Sequence, residues 1–99
     1  MNKQTIQDFA TKVTQEIKDD PYFADHPAGA DKVITVKFGR KYAKLLSNNG
    51  GSVWAFVDMI TGDLLKAASW ATPAKHARGN IETAQYGRNY SWLGPNYIR

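Results

Sequence analysis

Ile6, Phe9, Ala10, Val13 and Ile17 recur at i, i+3, i+4, i+7 and i+11, one stripe of a 3.6-residue period. The pattern predicts an amphipathic helix over residues 5–18. Thr5 and Asp8 have the spacing of a capping box, with Asp in place of the usual Glu. Pro21 ends the helix. Asp19 and Asp20, just before it, oppose the helix dipole there, which suggests that they are kept to pair with a basic neighbour. Residues 19–31, with Pro21, Pro27 and Gly29, read as a linker-like loop pinned to the core by Tyr22 and Phe23.

From Lys32 the period changes to two. Ile34, Val36 and Phe38 alternate with Val33, Thr35 and Lys37, the pattern of a half-buried strand. Gly39-Arg40 fits a two-residue hairpin turn, or a bulge in one long strand. Residues 41–46 continue as strand, 47–52 form a loop, and 53–58 are the most strand-like segment. Trp54 and Phe56 share one face of that strand, opposite Val53, Ala55 and Val57, and are expected in the core. A turn with Gly62 in the left-handed conformation leads to a fourth strand over 63–68.

Thr72-Pro73 has the form of an N-cap followed by proline at the first helical position, which predicts a short helix over 73–78 ended by Gly79. Tyr86, Tyr90, Trp92 and Tyr97 make the tail too aromatic to be disordered. The fold class is therefore α+β. An N-terminal amphipathic helix packs on a four-stranded antiparallel sheet, followed by a short C-terminal helix and an ordered aromatic tail. The 99 residues read as one domain, with an acidic helix and loop (1–31), a sheet (32–70), and a basic helical turn and tail (71–99).

Composition narrows the chemistry. Cysteine is absent, so there is no disulfide framework, thiolate metal site or cysteine nucleophile. Neither His26 nor His76 has metal-ligand spacing, and no nucleophile, base and orienting group can be assembled. No catalytic residue, metal site or cofactor is expected, and the protein is read as not an enzyme. No signal peptide or bilayer-spanning segment is evident, so a soluble intracellular protein without a membrane partner is expected.

Charge points to a partner class. Residues 1–31 carry a net −3 and residues 32–99 a net +7. A basic body favours an anionic partner, with the acidic segment positioned to screen it. Two basic sets stand out. One is Lys37, Arg40, Lys41 and Lys44 with Tyr42 interleaved, which fits single-strand binding by cations and a stacking ring; edge protection of an exposed strand explains the same lysines. The other is Lys75, His76 and Arg78 at the expected helix start, suited to phosphate; its alternative is a solvated basic helix whose Arg78 ties down the tail. Asp58 and Asp63 flank the hairpin turn. They read as structural, Asp58 as a turn cap and Asp63 pairing with Lys66 or a neighbouring strand, rather than as a cation site. Trp70 and Trp92 are expected as buried lids, with exposed anchors the alternative.

The block Asp58-Met59-Ile60-Thr61-Gly62-Asp63-Leu64-Leu65-Lys66-Ala67-Ala68-Ser69-Trp70, with Pro73-Ala74-Lys75 and Arg78-Gly79-Asn80-Ile81, resembles short proteins of unknown function encoded by tailed bacteriophages. Gly39-Arg40-Lys41-Tyr42 and the ending Gly94-Pro95-Asn96-Tyr97-Ile98-Arg99 are similar to that group as well. The resemblance implies a phage accessory protein in the cytoplasm of an infected bacterium. It also implies that Lys66, Lys75 and Arg78 form one patch.

The leading expectation is non-enzymatic nucleic-acid binding. Arg40, Lys41, Lys44, Lys66, Lys75, Arg78 and Arg88 would contact phosphates, and Tyr42 or Trp70 would stack on a base. The alternative is an inhibitor of a host protein anchored by Trp92 and Tyr97, since Trp, Tyr and Arg dominate hot spots. A small virion or assembly component is third. A homodimer is allowed in each.

Overall fold

A computed structural model describes residues 2–21, 33–47, 50–91 and 94–96. The apolar stripe does form a helix, α1 (Lys3–Lys18), and all five of its stripe residues are buried. It begins two residues before the expected start. Asn2, not Thr5, is the cap, and its side-chain oxygen accepts from the Thr5 backbone N–H at 2.8 Å. An Asn cap satisfies a free first-turn donor directly, which leaves Thr5 inside the first turn.

The strands are β1 (Thr35–Phe38), β2 (Tyr42–Ser47), β3 (Ser52–Asp58), β4 (Asp63–Ala67) and β5 (Pro73–Asn80). They form one antiparallel sheet in sequence order. The sheet has five strands, not four, because residues 73–80 extend beside β4 instead of forming the expected helix. A six-residue helix is far below the length at which propagation offsets nucleation. The open edge of β4 offers backbone partners at once. Pro73 is tolerated as the first residue of an edge strand, and Gly79, the expected helix C-cap, lies opposite Leu64 in the sheet.

Gly62 takes a φ of 79° at the β3–β4 turn, as its place there requires. The β1–β2 connection is a hairpin rather than a bulged single strand. Gly39 N–H donates to the Tyr42 carbonyl at 3.0 Å, so Arg40 and Lys41 form the turn, one residue later than Gly39-Arg40.

Alternation along the strands separates two faces. Ala43, Leu45, Ala55, Val57 and Leu64 pack with the α1 stripe in the main core. Phe56 and Leu65 point the other way and are buried as well. Both faces of β3 are therefore covered. Trp54, where the pairing with β2 shifts register, joins Ala55 and Val57 in the main core while Phe56 does not, so the expected pairing of Trp54 with Phe56 is split. The tail contributes β6 (Tyr90–Ser91) and β7 (Gly94–Pro95), a two-stranded ribbon. Tyr90 is fully buried and packs edge-on against Phe9 and Trp54, with ring centroids 5.5 and 5.6 Å away. Gly94 has a φ of 119°, and a Cβ there would stand 2.7 Å from the Trp54 carbonyl oxygen. Only glycine allows that approach.

Candidate nucleic-acid interface

The sheet face away from α1 carries the interleaved set. Tyr42 and Lys44 project there from β2, alternating with the buried Ala43 and Leu45. Register places Lys37 opposite Lys44, and Lys44 opposite Phe56. Tyr42 meets Phe56 edge-on at 6.1 Å. The loop at 68–72 closes with Ala68 and Ser69 N–H groups donating to the Thr72 carbonyl at 2.9 and 3.0 Å. It turns back over this face. Ala71 lines the same groove as Phe56, and the Trp70 ring centroid is 4.5 Å from Lys44 Nζ.

The result is an open groove of about 290 Å³ lined by Lys37, Phe38, Gly39, Arg40, Lys41, Tyr42, Lys44, Phe56 and Ala71. Four of these are cationic and none is acidic. Lys44 Nζ is also 5.8 Å from the Phe56 ring, and Lys41 Nζ is 5.4 Å from the Tyr42 ring. Both distances allow cation–π attraction, which fixes an ammonium group without neutralising it. Trp70 is 55 % exposed, so it is not a buried lid. A ring seated on a turn at the rim of a small sheet has no second layer to bury it.

The other basic residues lie apart from this groove or do different work. Lys66 Nζ donates to the Pro95 carbonyl at 3.4 Å, and Arg78 Nε to the Asn96 carbonyl at 3.0 Å. A further Arg78 donor goes to the His76 carbonyl. Lys66 and Arg78, expected to form one patch with Lys75, each hold a carbonyl of the C-terminal segment instead. Lys75 and His76 are exposed on β5, with no helix start behind them, and Arg88 is exposed in the turn before β6. Trp92, Tyr97 and His26 lie outside the described residues.

Asp58, Asp63, Asp20 and Glu16 serve the scaffold. Asp58 Oδ1 accepts from Ile60 and Thr61 N–H at 2.8 and 3.0 Å, the turn cap that the sequence suggests. Those two amides hold its carboxyl below the ordinary carboxylate range, and Lys41 adds to the effect. Asp63 accepts from the Asn80 amide at 3.4 Å. Tyr86 and Tyr90 hydroxyls donate to Asp20 at 2.7 Å and Glu16 at 2.6 Å. Asp20, expected to pair with a basic neighbour, thus has a phenol among its partners. Burial, then Glu16, push the Tyr90 phenol well above its ordinary pKa, so it stays a donor. Among the described residues no three His, Cys, Asp or Glu side chains cluster to hold a metal ion. No helix among them is long and apolar enough to cross a membrane.

A second groove, about 530 Å³, runs between α1 and β1, lined by Gln7, Thr11, Thr14, Gln15, Lys18 and residues 33–36. It is larger but has one cation and no ring. Phe56 and the fold-back of Ala71 are the parts of the first groove that sequence reasoning missed. The alternation that puts Tyr42 and Lys44 on one face, carried across to β3, is the signal that points to Phe56.

Over residues 2–97 the chain matches the model of a family of unknown function, DUF7717. The chain belongs to that family. No curated protein and no solved structure matches it.

Proposed function

We propose that this member of the family is a non-enzymatic accessory protein, of a phage acting in the bacterial cytoplasm, that binds nucleic acid through the groove beside Trp70. The observation that carries the reading is the Lys44 ammonium held 4.5 Å from a half-exposed Trp70 ring, above a groove with four cations and no carboxylate. Cations beside an accessible ring are the two parts of single-strand recognition: charge follows the phosphates and the ring stacks on a base. Lys37, Arg40, Lys41 and Lys44 take the phosphates, and Trp70 takes the base, with Tyr42 beside it. Lys75 and Arg88 add long-range attraction only. A duplex hides its base faces, so an unpaired strand uses this surface more fully.

The second reading, docking on a host protein, draws on the same exposed Trp70, because Trp is enriched among the anchors of protein interfaces. Fluorescence anisotropy with a labelled single strand and the matching duplex separates the two. Micromolar binding of the single strand, tighter than the duplex, supports the proposal. If neither binds below about 100 μM at about 50 mM salt, where nonspecific binders already associate, the host-protein reading replaces it.

A further inference from the structure

Resting on the reading of this groove as the nucleotide site, we infer that it is built for a nucleotide with a terminal phosphate. Such a group is carried by the phosphorylated end of a strand or by a free nucleotide. Two observations separate this from binding the middle of a strand. The first is size. At about 290 Å³ the groove is at the small end of ligand pockets, which run from about 300 to 1,000 Å³. Its enclosed space matches one nucleotide unit, and further units of a strand lie outside it.

The second is charge. An internal phosphodiester carries one negative charge. A terminal monophosphate carries about −1.5 to −2 near neutral pH and offers three acceptor oxygens. Lys37 and Lys44 face each other directly across β1 and β2, with Arg40 and Lys41 in the adjoining turn. Lys37, Arg40 and Lys44 meet the anion, with Lys41 beside them in the turn. Two lysines directly opposite repel, and a dianion between them turns that repulsion into attraction. Arg40 supplies a planar fork that fits two phosphate oxygens at once. The Trp70 ring, at the Lys44 side of the groove, meets the base of the same nucleotide.

The test uses the full chain and a short single strand labelled at its 3′ end, with either a 5′-phosphate or a 5′-hydroxyl. A nucleoside monophosphate serves as competitor. The phosphorylated strand is expected to bind about ten-fold tighter, the scale of one or two added charged hydrogen bonds. Lys37→Ala and Arg40→Ala change exposed side chains and should abolish the preference without lowering the thermal melt. Equal binding of both strands, in the wild type, overturns the inference and leaves the proposed function standing. Binding of the monophosphate with neither strand bound supports the inference with a free nucleotide as ligand, and overturns the proposed function. If nothing binds, both are overturned.

Discussion

Lys37 and Lys44 occupy directly opposed positions on β1 and β2, so the sheet holds two positive charges where one of each sign would be more stable. Lys44 gains part of this back from the rings of Trp70 and Phe56. The arrangement favours an anion over the stability of the empty protein. Lys37→Glu should therefore raise stability by about 0.2–1 kcal/mol, the range of a cross-strand charge pair, while weakening binding to any polyanion. A thermal melt and one titration read both effects. Loss of stability on Lys37→Glu would show that the two lysines do not repel.

Arg78 and Lys44 should behave as opposites. Arg78 holds the Asn96 and His76 carbonyls, so Arg78→Ala should cost about 1–2 kcal/mol of stability. It should leave the salt dependence of binding unchanged. Lys44→Ala should flatten the log–log salt slope by about 0.7, one phosphate on a single strand. Equal flattening by both variants would mean that Arg78 leaves its carbonyls to meet the ligand.

The C-terminal ribbon is latched to α1 through Tyr90 and Glu16. Tyr90→Phe should cost about 1–3 kcal/mol in urea unfolding, since it strips a partner from a carboxylate in a partly buried setting. Phe9→Ala, which empties the site beside that ring, should cost about 3–5 kcal/mol. A Tyr90→Phe variant as stable as the wild type would show that the latch contributes nothing.

Asp58 sets the acid response of the β3–β4 turn. Its folded pKa lies below its unfolded value because Ile60 and Thr61 amides favour the charged form. Its contribution is therefore complete above the unfolded value, near pH 4, and is lost as pH falls through the lower folded value. Asp58→Asn keeps an acceptor oxygen but cannot titrate. The variant should lose less stability than the wild type in denaturant unfolding between about pH 4.5 and pH 2. Parallel losses would place the acid sensitivity elsewhere.

Much of the scaffold is readable in the order of residues. The stripe from Ile6 to Ile17 and the alternation from Tyr42 to Ser47 are periodic signals that depend only on neighbours a few positions away. Thr72-Pro73 misleads because a helix-start signal is local, whereas the exposed edge of β4 that captures residues 73–80 is set by the whole sheet. Phe56 is buried, as expected, but on the face away from the helix and beside Ala71 of the loop beyond β4, a placement that alternation along β3 alone leaves open. The groove was legible in part. Arg40, Lys41, Tyr42 and Lys44 are close in sequence, but Trp70 joins them only in three dimensions, and Lys66 and Arg78 leave the set by binding carbonyls of the tail.

The most direct test of the proposed interface is a titration of a labelled single strand at several salt concentrations, with wild type and Trp70→Ala side by side. The account predicts a wild-type log–log slope of about −2 to −3, from the phosphate seated in the groove and the flanking phosphates of the strand within reach of Lys37, Arg40, Lys41 and Lys44. Trp70→Ala should keep that slope and lose about 1–3 kcal/mol of affinity, the stacking of one base. An affinity unchanged by Trp70→Ala, or a wild-type slope near zero, would contradict it.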